Sequence, residues 1–287
     1  IVFLIIIVSE NSEDLINSFK LSTVSNDFAS KQNIYPLISI TGTMFTYFSI
    51  LLLSYGDFSR AAKNINEMKK GNLSLILNLI IFSFLAVLIV LGSEIILTKN
   101  AIQINSLLTN PNDIIGKFDN NYLTVVALLF IIISSISTNL IANYVPSQNS
   151  LINFFPNSLN LKKSGLIIII MGILVGTFWL SMFSQKGVLS IIDTMTAFFG
   201  PIFGVIISDY YFIKKENINH KELFYPKETT EYIYTNGWNY KGAYSIFIGF
   251  IFSASTIWNA SLTSLQSFAW LIGAFVSFIL YYLINKE

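Results

Sequence analysis

Six stretches of this chain run for more than twenty residues with almost no charge, and that pattern limits the fold more than any motif does. A helix needs about 20 mostly apolar residues to cross the hydrocarbon core of a bilayer. Residues 32–56, 71–93 and 164–185 each supply one such span. Residues 121–161 supply another, a helix to about Asn143 followed by a loop holding Pro146 and Pro156. Residues 187–213 form a span interrupted by Asp193 and closed by Asp209. Residues 242–285 are long enough for two spans, with a break near Asn259-Ala260-Ser261. We therefore expect an all-α integral membrane protein. It would be a single transmembrane domain over 1–287, a multi-span helical bundle of about seven full spans plus a truncated one.

Composition agrees. Charged residues make up 11% of the chain and mean hydropathy is +0.63, whereas soluble domains carry about 25% charged residues. The net charge of +1 comes from basic residues scattered through loops, so no nucleic-acid partner is expected. With no cysteine and a single histidine, His220, in a polar loop, thiolate or histidine chemistry has almost nothing to work with. No cofactor is expected.

Loop charge orients the bundle, because Lys and Arg favour the cytoplasmic side of short loops. Alternating spans put twelve basic residues on one side, among them Arg60, Lys69, Lys70, Lys162, Lys163, Lys214 and Lys215, against five on the other. The first side is expected in the cytoplasm of a plasma or inner membrane, with 214–241 as the longest cytoplasmic loop, ordered rather than a separate domain. The chain opens with Ile1 in an apolar run, without the basic region of a signal peptide. We read 1–8 as the tail of a helix that begins upstream, and the chain as a C-terminal portion.

Polar side chains are costly inside a bilayer unless they meet one another, a cavity or a ligand. The densest such cluster is Ser134-Ser135-Ile136-Ser137-Thr138-Asn139-Leu140-Ile141-Ala142-Asn143. Ser134, Ser137 and Thr138 stand at i, i+3 and i+4 on one helix face, where hydroxyl oxygens and freed carbonyls suit a hard cation such as sodium. Asn143 lies five residues beyond Thr138, about 140° around an ideal helix. Its amide can pair with a cyclic amide or imide in both directions. Taken alone, the cluster reads first as hydrogen-bonded glue between helices, the commoner use of such residues.

Further motifs occur in order. Asp57-Phe58-Ser59-Arg60 follows the first span, and Phe154-Phe155-Pro156 with Leu161-Lys162-Lys163-Ser164-Gly165 leads into the fourth. Gly200-Pro201-Ile202-Phe203-Gly204 through Asp209-Tyr210-Tyr211 closes the fifth, and Tyr234, Gly237, Asn239 and Ala243 precede the sixth. Together with Thr138 to Asn143, these resemble the nucleobase:cation symporter-1 family, carriers of purines, pyrimidines, hydantoins and allantoin. The resemblance covers nearly the whole chain. It implies the twelve-helix inverted-repeat fold of the sodium-coupled amino-acid transporters, with this chain running from the end of helix five to helix twelve.

The same resemblance implies site residues. Half of a cation site for Na+ or H+ falls on Ser134 (through its carbonyl), Ser137 and Thr138, with the other half on a first helix upstream. The substrate asparagine falls on Asn143. An aromatic that stacks on the substrate ring falls on Phe48 or, with an offset of one, on Tyr47, where relatives have tryptophan. Gly200, Pro201 and Gly204 would belong to a gating helix beside the substrate, although a kink with close packing explains them as well. Asp57 and Arg60 read as a surface capping pair, Asp209, Tyr210 and Tyr211 as inner-interface residues, and Asp193 as solvent-facing or proton-coupling.

We therefore expect a secondary active transporter importing a nucleobase-like, hydantoin or allantoin-type ring with a cation, and no enzyme. Its partners would be the ring substrate, the bilayer and N-terminal helices of the same protein. Residues 1–287 alone are expected not to transport. A non-transporting receptor or scaffold on a transporter fold, or a carrier of another small polar solute such as an amino acid, would present the same spans. A membrane-embedded enzyme would need an intramembrane His, Cys, Lys or acid pair, which the sequence does not cluster.

Overall fold

The uncharged runs become helices wherever the structure describes them. The computed structural model describes residues 13–14, 16–17, 31–99, 114–116, 121–178, 188–224, 230–235 and 237–286. Its principal helices are α1 (Lys31–Leu53), α2 (Ile65–Lys99), α3 (Asn121–Asn139), α4 (Val145–Phe154), α5 (Leu161–Phe178), α6 (Val188–Ile207), α7 (Tyr240–Trp258) and α8 (Ala269–Asn285). Wide π-helical turns, Leu140–Tyr144 and Ser208–Ile213, join α3 to α4 and extend α6. A 3-10 segment, Ala260–Phe268, links α7 to α8. No strand occurs among the described residues.

Five helical stretches among them are long and apolar enough to cross a membrane: Ile34–Leu53, Ile65–Ile95, Asn121–Phe154, Asp193–Ile213 and Ala260–Asn285. The sixth expected span is α7, which carries a stripe of Gly, Ser and Thr in place of bulk. The fourth is described only to Phe178, and the expected stub at 1–8 lies outside the described residues. One expectation fails. The loop after Asn143 is instead helix: the chain runs helically from Asn121 to Phe154, with Pro146 directly after the π turn Leu140–Tyr144.

The chain divides into two compact units. The first comprises Ile1–Phe28 and Asp57–Ser164, the second Ala29–Gly56 and Gly165–Glu287. In the first unit, α2 and α3 expose apolar side chains all round, such as Phe82, Phe130 and Ile133, as helices bathed in lipid do.

In the second unit α6, α7 and α8 pack on one another, with α1 against α6 and α8. Their contact faces repeat small residues every fourth position. Ser245, Gly249 and Ser253 of α7 are buried, as are Ala269, Gly273 and Ser277 of α8. Small residues let helix backbones approach where lipid offers no hydrophobic drive to associate. The approach is close enough to be exclusive. A Cβ on Gly200 would lie 2.2 Å from the Trp270 carbonyl oxygen, and one on Gly204 2.1 Å from that of Ala274.

Pro201 sits inside α6 without ending it. Proline removes one intrahelical hydrogen bond, freeing the carbonyl four residues back, at Ala197. The Ser253 hydroxyl of α7 lies 3.1 Å from that carbonyl and 2.6 Å from the carbonyl of Ala269. The Ser277 hydroxyl of α8 donates to the carbonyl of Pro201 itself at 2.9 Å. Neighbouring helices thus supply what the proline takes away.

In the full-length protein, Gly204→Ala should cost about 1–3 kcal/mol through overpacking. Gly176→Ala, whose Cβ meets nothing within 4 Å, should be neutral or slightly stabilising. Thermal unfolding of the two variants in detergent measures the difference, and equal melting temperatures would contradict this packing.

Candidate functional site

The polar cluster of the first unit sits at the end of α3. Ser134, Ser137 and Thr138 are exposed on that unit. The Ser137 hydroxyl donates to the Ile133 carbonyl at 2.7 Å. Its only proton is thereby used inward, while the oxygen's lone pairs remain available to a cation or a donor.

Beyond Thr138 the helix changes pitch. Leu140–Tyr144 is a π turn, closed by the Val145 N–H donating to the Leu140 carbonyl five residues back. The 140° offset of an ideal helix therefore does not apply to Asn143. Such turns are frequent at functional sites because they displace one side chain and loosen the local bond pattern. Asn143 is exposed on its unit, and its Nδ2 donates to Asn139 Oδ1 at 2.6 Å. Asn139 Nδ2 in turn donates to the Ser135 carbonyl at 2.9 Å. Asn139 is thus a residue that sequence reasoning passed over. It fixes which end of the Asn143 amide is the donor to the protein, and so leaves Oδ1 and the second N–H for another partner.

In the same unit, Asp57 and Arg60 do form an ion pair, at 3.9 Å. With the arginine 59% exposed, it is the weak surface kind. The shorter contact of Asp57 is with Asn149 of α4, whose Nδ2 donates to Oδ1 at 2.7 Å across 92 residues of sequence. Asp57 is therefore an anchor for α4 more than a partner for Arg60.

The remaining expected residues lie in the second unit. Tyr47 is 75% exposed and stands edge-on to half-buried Phe48, ring centroids 5.2 Å apart. Successive helical residues point about 100° apart, so only one of the two can face a given surface. Gly200, Pro201 and Gly204 all lie in the tight seam between α6 and α8. Asp193 is half-buried, and its Oδ2 accepts from Gln266 of the 3-10 segment at 2.9 Å.

At the opposite end of α6, the Tyr281 hydroxyl donates to Asp209 at 2.8 Å and lies 3.1 Å from Asn239 Nδ2. The Asn239 side chain also caps α7 by accepting from the Gly242 N–H at 2.9 Å. This explains why Asp209 and Asn239 occur together as motifs. They tie the ends of three helices. In the preceding loop, burial and then the nearby Asp209 carboxylate push the Tyr234 phenol above its ordinary value.

Among the described residues no group of three or more His, Cys, Asp or Glu could hold a metal ion. What the structure offers is uncharged hydrogen-bonding groups on apolar helices, the equipment of an all-α, multi-span membrane protein. The chain belongs to the family of permeases for cytosine/purines, uracil, thiamine and allantoin, whose model matches residues 14–284.

Individual relatives agree. An allantoin permease of Bacillus subtilis (strain 168) is 27% identical over 237 residues, 82% of this chain and 46% of the relative. A purine-uracil permease NCS1 of Arabidopsis thaliana is 27% identical over 206 residues, 72% of this chain and 33% of the relative. A putative allantoin permease of Escherichia coli (strain K12) is 26% identical over 236 residues, 82% of this chain and 47% of the relative. The chain thus spans half or less of the length of these relatives. No solved structure matches it.

Removing the Asn149 side chain (Asn149→Ala) should destabilise the full-length protein by about 1–3 kcal/mol, the cost of leaving a partly buried acceptor unpaired. Arg60→Ala should cost at most about 1 kcal/mol. Denaturant or thermal unfolding of the two variants distinguishes an Asp57–Asn149 anchor from an Asp57–Arg60 pair.

Proposed function

We propose that the protein to which this chain belongs is a secondary active transporter that imports a nucleobase-like, hydantoin or allantoin-type ring by cation symport. The observation that carries this is the presentation of Asn143 on a π turn, within a chain whose family and relatives are named as permeases for such compounds. An amide with one free carbonyl and one free N–H matches the lactam or ureide edge of these rings, donor to acceptor and acceptor to donor. An aromatic of α1, Phe48 or Tyr47, would add stacking on the ring face, worth about 0.5–1.5 kcal/mol.

The coupling ion, Na+ or H+, would use the oxygens of Ser134, Ser137 and Thr138, with further ligands from helices upstream. A hydroxyl whose proton already serves the helix, as that of Ser137 does, would meet a cation with its lone pairs. Binding of the ion would favour the conformation that receives substrate, since a ligand shifts an equilibrium by its differential affinity for the two states. Basic loops including Lys162, Lys163, Lys214 and Lys215 would face the cytoplasm of a plasma or inner membrane. The close seam at Gly200, Pro201 and Gly204 would let α6 move with α8 as one body, with gating at its ends.

In the full-length protein, Asn143→Ala should abolish uptake of labelled allantoin and uracil while the protein remains in the membrane. Normal uptake would remove Asn143 from the substrate site. Replacing both Ser137 and Thr138 by Ala should raise the sodium needed for half-maximal uptake by about tenfold, the loss expected for roughly 1.4 kcal/mol of ligand energy. An unchanged sodium dependence would point to proton coupling.

A further inference from the structure

Ser135, Asn139 and Asn143 follow one another at intervals of four along the end of α3 and into the π turn. Hydrogen bonds link them in a chain whose direction is fixed. The Ser135 carbonyl oxygen can only accept, so it takes the Asn139 amide by its nitrogen, and Nδ2 donates at 2.9 Å. The other end of that amide, Oδ1, is then the end that meets Asn143. An amide oxygen can only accept as well, so Asn143 offers its own nitrogen, at 2.6 Å. Turned over, Asn143 would set two oxygens against each other at that distance with no proton between them. The sense of the Asn143 amide is therefore dictated by a backbone carbonyl and relayed through Asn139.

Two observations separate this relay from ordinary structural bonding. The three residues belong to one continuous helical stretch, Asn121–Phe154, so their bonds hold no two helices together. Asn139 precedes the π turn Leu140–Tyr144, yet its side chain makes no capping bond to the turn. Its oxygen is given over to Asn143. What the bond fixes is the way one exposed amide points, at the place where the helix changes pitch.

Asn143 is left with an acceptor, Oδ1, and one N–H. Rings that show a donor beside an acceptor come in two opposite senses. Uracil shows N3–H beside the C4 carbonyl, whereas cytosine shows the N3 lone pair beside the N4 amino group. Once any second contact fixes how the ring lies, an amide of one sense fits one of these bases and meets the other like against like.

We propose that Asn139 is a positioning residue, which sets the donor–acceptor sense of Asn143 and with it the discrimination between rings of opposite edge polarity. The inference rests on Asn143 as the substrate contact, as proposed above. It adds a reason for selectivity that Asn143 by itself does not supply, because a free amide can turn over and serve either sense. Discrimination by a two-bond amide contact corresponds to about tenfold or more in affinity.

The test uses the full-length protein in proteoliposomes, with labelled allantoin or labelled uracil as the transported ring. Unlabelled uracil and cytosine serve as competitors, and the quantity measured is the ratio of their inhibition constants. In the unmodified protein this ratio should lie well away from one. Asn139→Ala frees the Asn143 amide and should move the ratio toward one by about tenfold. Asn139→Asp still turns an oxygen toward Asn143 and should keep the original ratio. A loss of folded protein lowers the maximal rate for every ring and leaves the ratio unmoved, so the ratio reads positioning alone. If Asn139→Ala does not reach the membrane, Asn139→Asp decides: an unchanged ratio supports the relay and a tenfold change overturns it. A ratio of one in the unmodified protein, or no inhibition by either base, overturns the inference. Normal uptake by Asn143→Ala removes the substrate contact and the inference with it. Lost uptake by Asn143→Ala, with a ratio that Asn139→Ala leaves unchanged, overturns the relay and leaves the substrate contact standing.

Discussion

The backbone-to-backbone approach of α6, α7 and α8 is the constraint on which the second unit depends. In lipid the usual driving force of folding is weak between helices, and every backbone polar group must find a partner within the protein. Proline inside α6 sharpens both demands at once, because it removes a donor and bulges the helix. The solution is specific. Small residues at every fourth position bring α7 and α8 close, and Ser253 and Ser277 then reach the backbone of α6 around Pro201. The glycines that permit the approach and the serines that repair the helix belong to one device. Either alone would fail, since a serine held one side chain further away could not reach the carbonyl.

The same logic explains where the hydroxyls go. Thr41, Thr43, Thr46, Ser83, Ser137 and Thr177 all return their proton to the carbonyl four residues earlier. In water such back-bonding competes with solvent and mildly disfavours the helix. In lipid it hides the donor and leaves an oxygen with unused lone pairs. A membrane helix can therefore carry hydroxyls as latent acceptors, ready for a cation or an N–H. Ser137 and Thr46 are instances in the two units.

How much of this was legible in the sequence follows from the range of each interaction. Span positions were readable because a charge-free run of bilayer length is a one-dimensional signal. The break at Asn259 was readable too, since it interrupts such a run with polar residues. The helical path through Pro146 was not, because proline more often ends a helix than continues one, and here the helix runs on past it after a π turn. Pitch changes of that kind depend on one backbone bond, for which Leu140 and its neighbours carry no distinctive residue type. The small-residue ladder of Ser245, Gly249 and Ser253 was present at a spacing of four and could have been found by scanning for it. The contact of Asp57 with Asn149 could not, because nothing local relates residues 92 apart. Of the candidate site, the cluster from Ser134 to Asn143 was visible as polar residues in an apolar run. The role of Asn139 in orienting Asn143 needed the rotamers.

Asn143 and Trp270 illustrate two ways of keeping a polar group ready inside an apolar protein. Asn143 has a partner, Asn139, that uses one N–H and leaves the other half of the amide defined and open. A flexible amide would lose rotamer freedom on meeting a ligand, and the existing bond has already removed part of that cost. Trp270 has no partner, but its ring is held by Phe45 and Phe203. Packing of the apolar face does the same work that a hydrogen bond does for Asn143. The first arrangement leaves the amide half satisfied. The second leaves a buried donor without an acceptor, a cost that the packing of the ring has to outweigh.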